Sequence, residues 1–319
     1  MDQQKVIRAG IIGLGGVGER VFQALRAHPA FQVAVLCDAS EQRVKQAAET
    51  HRLAWTTDYR TILDDPAIDL IYVGVPPKFH HGIVMDVLKA RKHVLCEKPL
   101  ANSEEEAKEM SEAAASAGVV HAMNFPTYYR AAYAEMAKRI AEGFLGELKR
   151  VELKAHFHTW PRPWQQNHWI GGREQGGFIR EVFPHFIHLI RAILGPIRDV
   201  NAHVQYPADP ALCETAMFAS AKLDGGVPVL FDGLSQIAQK ENITFTMYGS
   251  QGTLSLQDWN VVKAGGMNEP LTEVPLPEID RTLGLLDELA AAIRGEKARL
   301  VDFAEGYEIQ QTLESLLRG

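Results

Sequence analysis

Glu97, Lys98 and Pro99 follow the short apolar run Val94-Leu95-Cys96, so a carboxylate and an amine stand where a buried strand is expected to end. In open α/β sheets the loops beyond the strand ends form the ligand crevice. A lysine there can reach a substrate oxygen, and the proline restrains the backbone behind it. Alone the tripeptide means little, because Glu and Lys are common surface residues. Its meaning depends on the elements that hold it.

The first of these elements is a glycine turn. Val6 to Ile12 reads as a buried strand that runs into Gly13-Leu14-Gly15-Gly16-Val17-Gly18, and a helix follows from Glu19 to His28. Gly13 permits the tight turn, Gly15 lets a pyrophosphate approach the backbone, and Gly18 allows close helix–strand packing. The phosphates are expected on the unpaired N–H groups of the helix N-terminus, around Gly16 and Val17. The next strand, Gln32 to Cys37, ends in Asp38, where an acid meets the adenine-side ribose hydroxyls. A carboxylate there repels a 2′-phosphate, which favours NAD over NADP; Arg43, further on, softens that preference.

Alternation of β and α patterns continues to Asn124 and predicts a parallel sheet. A strand over Asp69–Val75 leads into Pro76-Pro77-Lys78-Phe79-His80. A helix over Ser103–Ala117 carries a capping box, Ser103 with Glu106. The expected fold class is α/β: an N-terminal Rossmann doubly wound parallel sheet over residues 1–124, then an α+β domain over 125–319. In the second part, buried Val151, Leu153, Ala155 and Phe157 alternate with polar residues. Asp224-Gly225-Gly226 and Gly249-Ser250-Gln251-Gly252 suit antiparallel hairpins. A large, open, mostly antiparallel sheet is therefore expected, with closing helices that cover it or pack back on the first domain.

Bulk properties exclude several classes. The chain has 319 residues, 46% hydrophobic and 23% charged, with a net charge of −7, which argues against a nucleic-acid partner. No apolar run approaches the ~18 residues needed to cross a membrane, and Met1–Lys5 leads straight into a strand with no apolar signal region. Cys37, Cys96 and Cys213 are too few and too widely spaced for a disulfide framework or a zinc site, which fits a reducing cytoplasm. His156 with His158, and His185 with His188 and Glu181, offer pairs of the kind that hold zinc. The expectation is nevertheless that no metal is bound.

Three motifs resemble the glucose–fructose oxidoreductase/inositol dehydrogenase/MocA family of NAD(P)-dependent dehydrogenases: the glycine turn with Asp38, the segment Pro76–His80, and His93-Val94-Leu95-Cys96-Glu97-Lys98-Pro99. The resemblance implies that Lys98 is the catalytic lysine and that the Lys98–Pro99 bond is cis. Gly176-Gly177-Phe178-Ile179-Arg180-Glu181-Val182-Phe183-Pro184-His185-Phe186-Ile187-His188 is similar to the second family signature. It places His185 on the acid/base histidine, with Glu181 and His188 standing where aspartates are usual. Val75 replaces the threonine or asparagine often found before the proline.

By that resemblance the reaction is hydride transfer between nicotinamide and a hydroxyl-bearing carbon of a sugar, inositol or related polyol. Lys98, His185 and Glu181 are the catalytic candidates. Cofactor contacts fall to Gly13, Gly15, Gly16, Val17, Gly18, Asp38, Val75, Pro76, His80, Glu97, Lys98 and Asn124. Substrate contacts fall to Lys98, Asn124, Glu181 and His185. Arg162 and Trp164 join them, because Thr159–Trp169 packs three tryptophans and an arginine into one loop, and such groups bind sugar faces and hydroxyls. The same composition suits an oligomer contact, and a homodimer or homotetramer through the sheet is expected. An NAD-dependent glycoside hydrolase using transient oxidation and a non-catalytic NAD-binding regulator are the alternatives.

Overall fold

Short runs of β-branched and aliphatic residues, buried on both faces, make the first sheet. The computed structural model describes residues 5–165, 167–278 and 281–318; Met1–Gln4, and Gln166 of the tryptophan loop, lie outside these. Two compact units divide the chain, Met1–Pro126 with Asp280–Gln310 and Thr127–Ile279 with Gln311–Gly319.

In the first unit, β1 (Ile7–Ile12), α1 (Gly16–Ala27), β2 (Phe31–Cys37), α2 (Glu41–His51), β3 (Ala54–Thr56), α3 (Arg60–Leu63), β4 (Leu70–Val73), α4 (His80–Lys89), β5 (His93–Cys96), α5 (Glu104–Ala117) and β6 (His121–Met123) follow in order. The strands pair in parallel in the order β3-β2-β1-β4-β5-β6. The order reverses between β1 and β4, which creates the crevice where doubly wound sheets bind ligands. Ser40 caps α2 and Ser103 caps α5, each through its hydroxyl. Glu106 completes its box one residue early, accepting from the Asn102 N–H. The edge strand β3 escaped the sequence reading, because three residues are too short for a period to show.

The second unit begins with α6 (Ala131–Ala141), β7 (Leu148–His156) and α7 (Phe178–Leu194). Then come β8 (Ile197–Gln205), β9 (Ala216–Leu223), β10 (Pro228–Leu234), β11 (Asn242–Gly249), β12 (Gly252–Gln257), β13 (Val261–Gly266) and β14 (Thr272–Glu273). Their order is β14-β13-β12-β11-β7-β10-β9-β8, antiparallel except where β10 meets β7. β13 and β14 were not expected. The turn before β13 is made by Asp258 and Trp259 at φ 45° and 72°, conformations that an aromatic residue does not advertise. The closing helices are α8 (Arg281–Ile293) and α9 (Phe303–Leu317).

Aromatic rings bind α7 to the inner face of this sheet. Phe178 packs on Phe157, Phe183 on Phe231 and Phe186 on Phe245, and all six rings are buried. Burial of this size dominates the energetics of such an interface. The helix start is set by a side chain distant in sequence. Gly177 has φ 99° and no side-chain cap, and a Cβ there would stand 2.2 Å from a Glu214 carboxylate oxygen. That carboxylate accepts the Ile179 N–H at 2.8 Å, so Glu214 satisfies an orphan donor of the first turn. Burial pushes the Glu214 carboxyl up, and the backbone donors pull the other way. Glu214→Ala is expected to lower unfolding stability by about 1–3 kcal/mol, since it strands a buried helix N-terminus. Urea denaturation measures this, and an unmoved midpoint would remove the capping role.

Candidate active site

The turn after β1 is held by close backbone approach. Gly13 has φ 97°, and a Cβ on it would meet the Gly74 carbonyl oxygen at 2.3 Å; one on Gly18 would meet the Gly13 oxygen at 2.1 Å. Gly15 and Gly16 differ, for a Cβ there meets nothing within 4 Å. No side-chain hydrogen bond caps α1 at Gly15, and Val17 is exposed. An open cradle over an uncapped helix N-terminus fits a pyrophosphate.

Asp38 stands directly after β2. Its buried carboxylate accepts the Leu14 and Ser40 N–H groups, each at 2.8 Å. Arg43 donates to both of its oxygens, at 2.9 and 3.2 Å. The Arg43 side chain remains 53% exposed, so a cation stands beside Asp38 on the solvent side.

At the opposite end of the crevice the loops after β4, β5 and β6 are tied together. Lys98–Pro99 is cis. His80 is fully buried, with Nδ1 2.9 Å from the Pro99 oxygen and Nε2 2.8 Å from the Val75 oxygen. A neutral imidazole donates to only one of the two. Burial nevertheless pushes the His80 pKa down, opposed by these carbonyls. Its role is thus to join the Val75–Pro76 turn to the Pro99 loop. Glu97 is likewise buried; Tyr72 donates to its Oε1 at 2.9 Å, as does the Asn124 amide. Burial raises the Glu97 carboxyl, opposed first by Asn124 and Tyr72 and then by the charge of Lys98. Asn124 is buried and its Oδ1 has no partner, an acceptor left over for a bound group. Lys98 itself is half-buried.

In the second unit, Glu181 and His185 are four residues apart on α7 and both half-buried, so they share a helix face. Thr127 Oγ1 lies 3.3 Å from His185 Nδ1, and Trp259 meets the imidazole edge-on at 5.4 Å. His188, by contrast, is buried against Tyr128. A recess beside His185 is walled by Tyr128, Tyr133, Trp259 and Thr127, and neither Arg162 nor Trp164 lines it.

Arg162 makes a bidentate pair with Glu241 at 2.8 and 2.9 Å. Its guanidinium lies over the rings of Phe157, Trp160 and Trp164. These contacts fasten the loop, Arg162 also lines an open groove with Asn167 and His168, and Trp164 is 67% exposed. His156 pairs with Asp232 and His158 faces the Ile237 carbonyl. Among the described residues no group of three or more His, Cys, Asp or Glu is placed to hold a metal, and no helix is long and apolar enough to cross a membrane. Tyr72, Thr127 and Trp259 went unnoticed in the sequence. Only Tyr72 carried a signal, as the single polar tip in the apolar run Leu70–Val73.

Comparison with known proteins bears on this geometry. Residues 7–125 match the family described as "Oxidoreductase family, NAD-binding Rossmann fold", and residues 133–255 match the "GFO/IDH/MocA C-terminal domain". A 1,5-anhydro-D-fructose reductase of Ensifer adhaerens is 32% identical over 252 residues, 77% of this chain and 74% of that protein. The D-glucoside 3-dehydrogenase of Escherichia coli (strain K12) is 23% identical over 339 residues, 97% of this chain and 94% of that protein. A levoglucosan dehydrogenase solved with NADH and L-sorbose superposes with a TM-score of 0.87 at 21% identity, over 98% of this chain and 96% of the other. With both halves of the chain matched and the glycine cradle formed as a dinucleotide requires, the protein belongs to the Gfo/Idh/MocA family of NAD-binding oxidoreductases.

Proposed function

We propose that the protein oxidises or reduces a hydroxyl-bearing carbon of a sugar or polyol, with Lys98 and His185 handling charge and proton at the reacting oxygen. The observation that carries this reading is His185, half-buried beside a recess of aromatic rings. Aromatic faces pack on the C–H faces of sugars, so rings beside an imidazole suit this substrate class. The relatives named above act on sugars by name, which supports the same substrate class.

Bound nicotinamide supplies the hydride acceptor or donor; the protein must manage the proton. His185 is suited to take the hydroxyl proton, because an imidazole titrates near neutrality. Thr127 Oγ1, 3.3 Å from Nδ1, fixes the orientation of the ring. Lys98 donates a hydrogen bond to the same oxygen and stabilises alkoxide charge as it develops. Glu97, held by Tyr72 and Asn124, orients Lys98 rather than touching substrate. Glu181 presents a carboxylate on the His185 face of α7 and contacts a substrate hydroxyl. The face of the second sheet opposite α7, where Phe218 is exposed and stacked on His203, is the proposed surface for self-association.

A panel of sugars, cyclitols and sugar acids, followed by nicotinamide absorbance, tests the reading. Release of a leaving group without net NADH would mark a hydrolase instead. Lys98→Met is expected to lower kcat by about two to four orders of magnitude. NADH binding, read by fluorescence titration, should fall far less than kcat, since the glycine turn and Asp38 still hold the dinucleotide. Unchanged turnover would refute the role of Lys98. Asp38→Ala is expected to weaken NAD by about tenfold and NADP by less, because the lost acceptor serves only the unphosphorylated ribose. An equal loss for both cofactors would remove the specificity argument.

A further inference from the structure

The first sheet buries a phenol that the proposed chemistry does not use. Tyr72 is fully buried in β4, between neighbours Leu70, Ile71 and Val73 that have no polar atoms in their side chains. An aliphatic residue would fill the position without a buried hydroxyl to satisfy. The phenol instead reaches across the sheet. Tyr72 pairs with Leu95 of β5, and its O–H donates to Oε1 of Glu97, the residue after β5, at 2.9 Å. Gly74 makes this possible, since a Cβ there would stand 2.6 Å from the Tyr72 hydroxyl and ring. Asn124 donates to the same Glu97 oxygen from beyond β6. The other oxygen faces the Lys98 N–H at 3.4 Å, and the Glu97 N–H is tied to the Val73 oxygen at 2.9 Å.

We propose that Tyr72 is a positioning residue for the reaction, acting through Glu97 to hold a carboxylate in one place and one charge state behind Lys98. This rests on the reading of Lys98 as the group that meets the substrate oxygen. The groups around the contact are Tyr72 of β4, Cys96 of β5, Lys98, and Asn124 after β6. Arg20 of α1 acts on the phenol, and Lys98 acts on His80. Burial holds the Tyr72 phenol and the Cys96 thiol well above their ordinary values. They stay protonated, and Glu97 is the member of that group whose charge changes with pH. Two donors on one oxygen favour its ionised form and oppose the cost of burial. Remove the phenol and Glu97 keeps its proton to higher pH.

The raised carboxyl sets the sign of the pH dependence. A folded value above the unfolded one gives stability that is complete below the unfolded pKa and is lost as pH rises through the folded value. Tyr72→Phe raises the folded value further, so the loss shifts to higher pH; Glu97→Gln abolishes it. The test uses Tyr72→Phe, Glu97→Gln and the double variant, with melting temperature against pH in the cofactor-free protein and kcat against pH in the complete reaction. In Tyr72→Phe the acidic limb of kcat is expected to move up by about one pH unit, with KM and NADH affinity within about twofold. The cofactor-free melting profile should shift in the same direction, and the double variant should match Glu97→Gln in both profiles.

If Tyr72→Phe fails to fold, Glu97→Gln alone still tests the contact, because it must erase the Glu97 step from the cofactor-free melting profile. Profiles that stay in place in Tyr72→Phe, or a melting profile that keeps its Glu97 step in Glu97→Gln, overturn the proposal, as does an equal loss of stability from Tyr72→Phe with Glu or Gln at 97. The melting profiles do not involve turnover. Failure of the Lys98 reading would appear as unchanged kcat in Lys98→Met, while failure of this proposal would appear as unmoved profiles.

Discussion

A carboxylate taken out of water needs donors aimed at it, and burial of Glu97 imposes that demand on three strand ends at once. Tyr72 answers from β4, Asn124 from beyond the end of β6, and the Lys98 N–H from the loop itself. Each of these groups would be costly to leave unpaired in the interior. Satisfying one acid therefore fixes the loops that follow β4, β5 and β6 at one end of the crevice. His80 repeats the device a short distance away, joining the Val75 and Pro99 carbonyls through one ring.

The dinucleotide end is organised differently, by backbone proximity. Gly13 and Gly18 are set by the absence of space for a side chain, whereas Gly15 and Gly16 leave an opening. Asp38 then gathers two backbone N–H groups and Arg43. The Asp38–Arg43 pair, exposed on the arginine side, is held only weakly.

The second unit supports its functional helix through packing. Three pairs of aromatic rings press α7 onto the sheet, while Glu214 satisfies its first turn from a distant loop. The chain thereby presents Glu181 and His185 from a rigid element, and the Thr127 hydroxyl constrains the imidazole. Arg162 takes a structural part by the same logic. Its bidentate pair with Glu241 and its aromatic surroundings hold the tryptophan loop in place.

Residue type and spacing determined the Rossmann order, the glycine cradle, Asp38 and the position of Lys98, because those depend on local rules: hydrophobic period, turn chemistry and the residue types at a strand's end. The hairpins of the second sheet were legible for the same reason, through their Gly-rich turns. Only the tertiary structure decided the contacts between residues far apart in the chain. Glu214 under α7, Tyr72 under Glu97 and Glu241 on Arg162 leave no periodic trace, since a hydrogen-bond partner is selected by where two elements come together. Even Glu97, conspicuous from the start, needed the fold to show that its carboxylate turns inward, where burial rather than substrate sets its role.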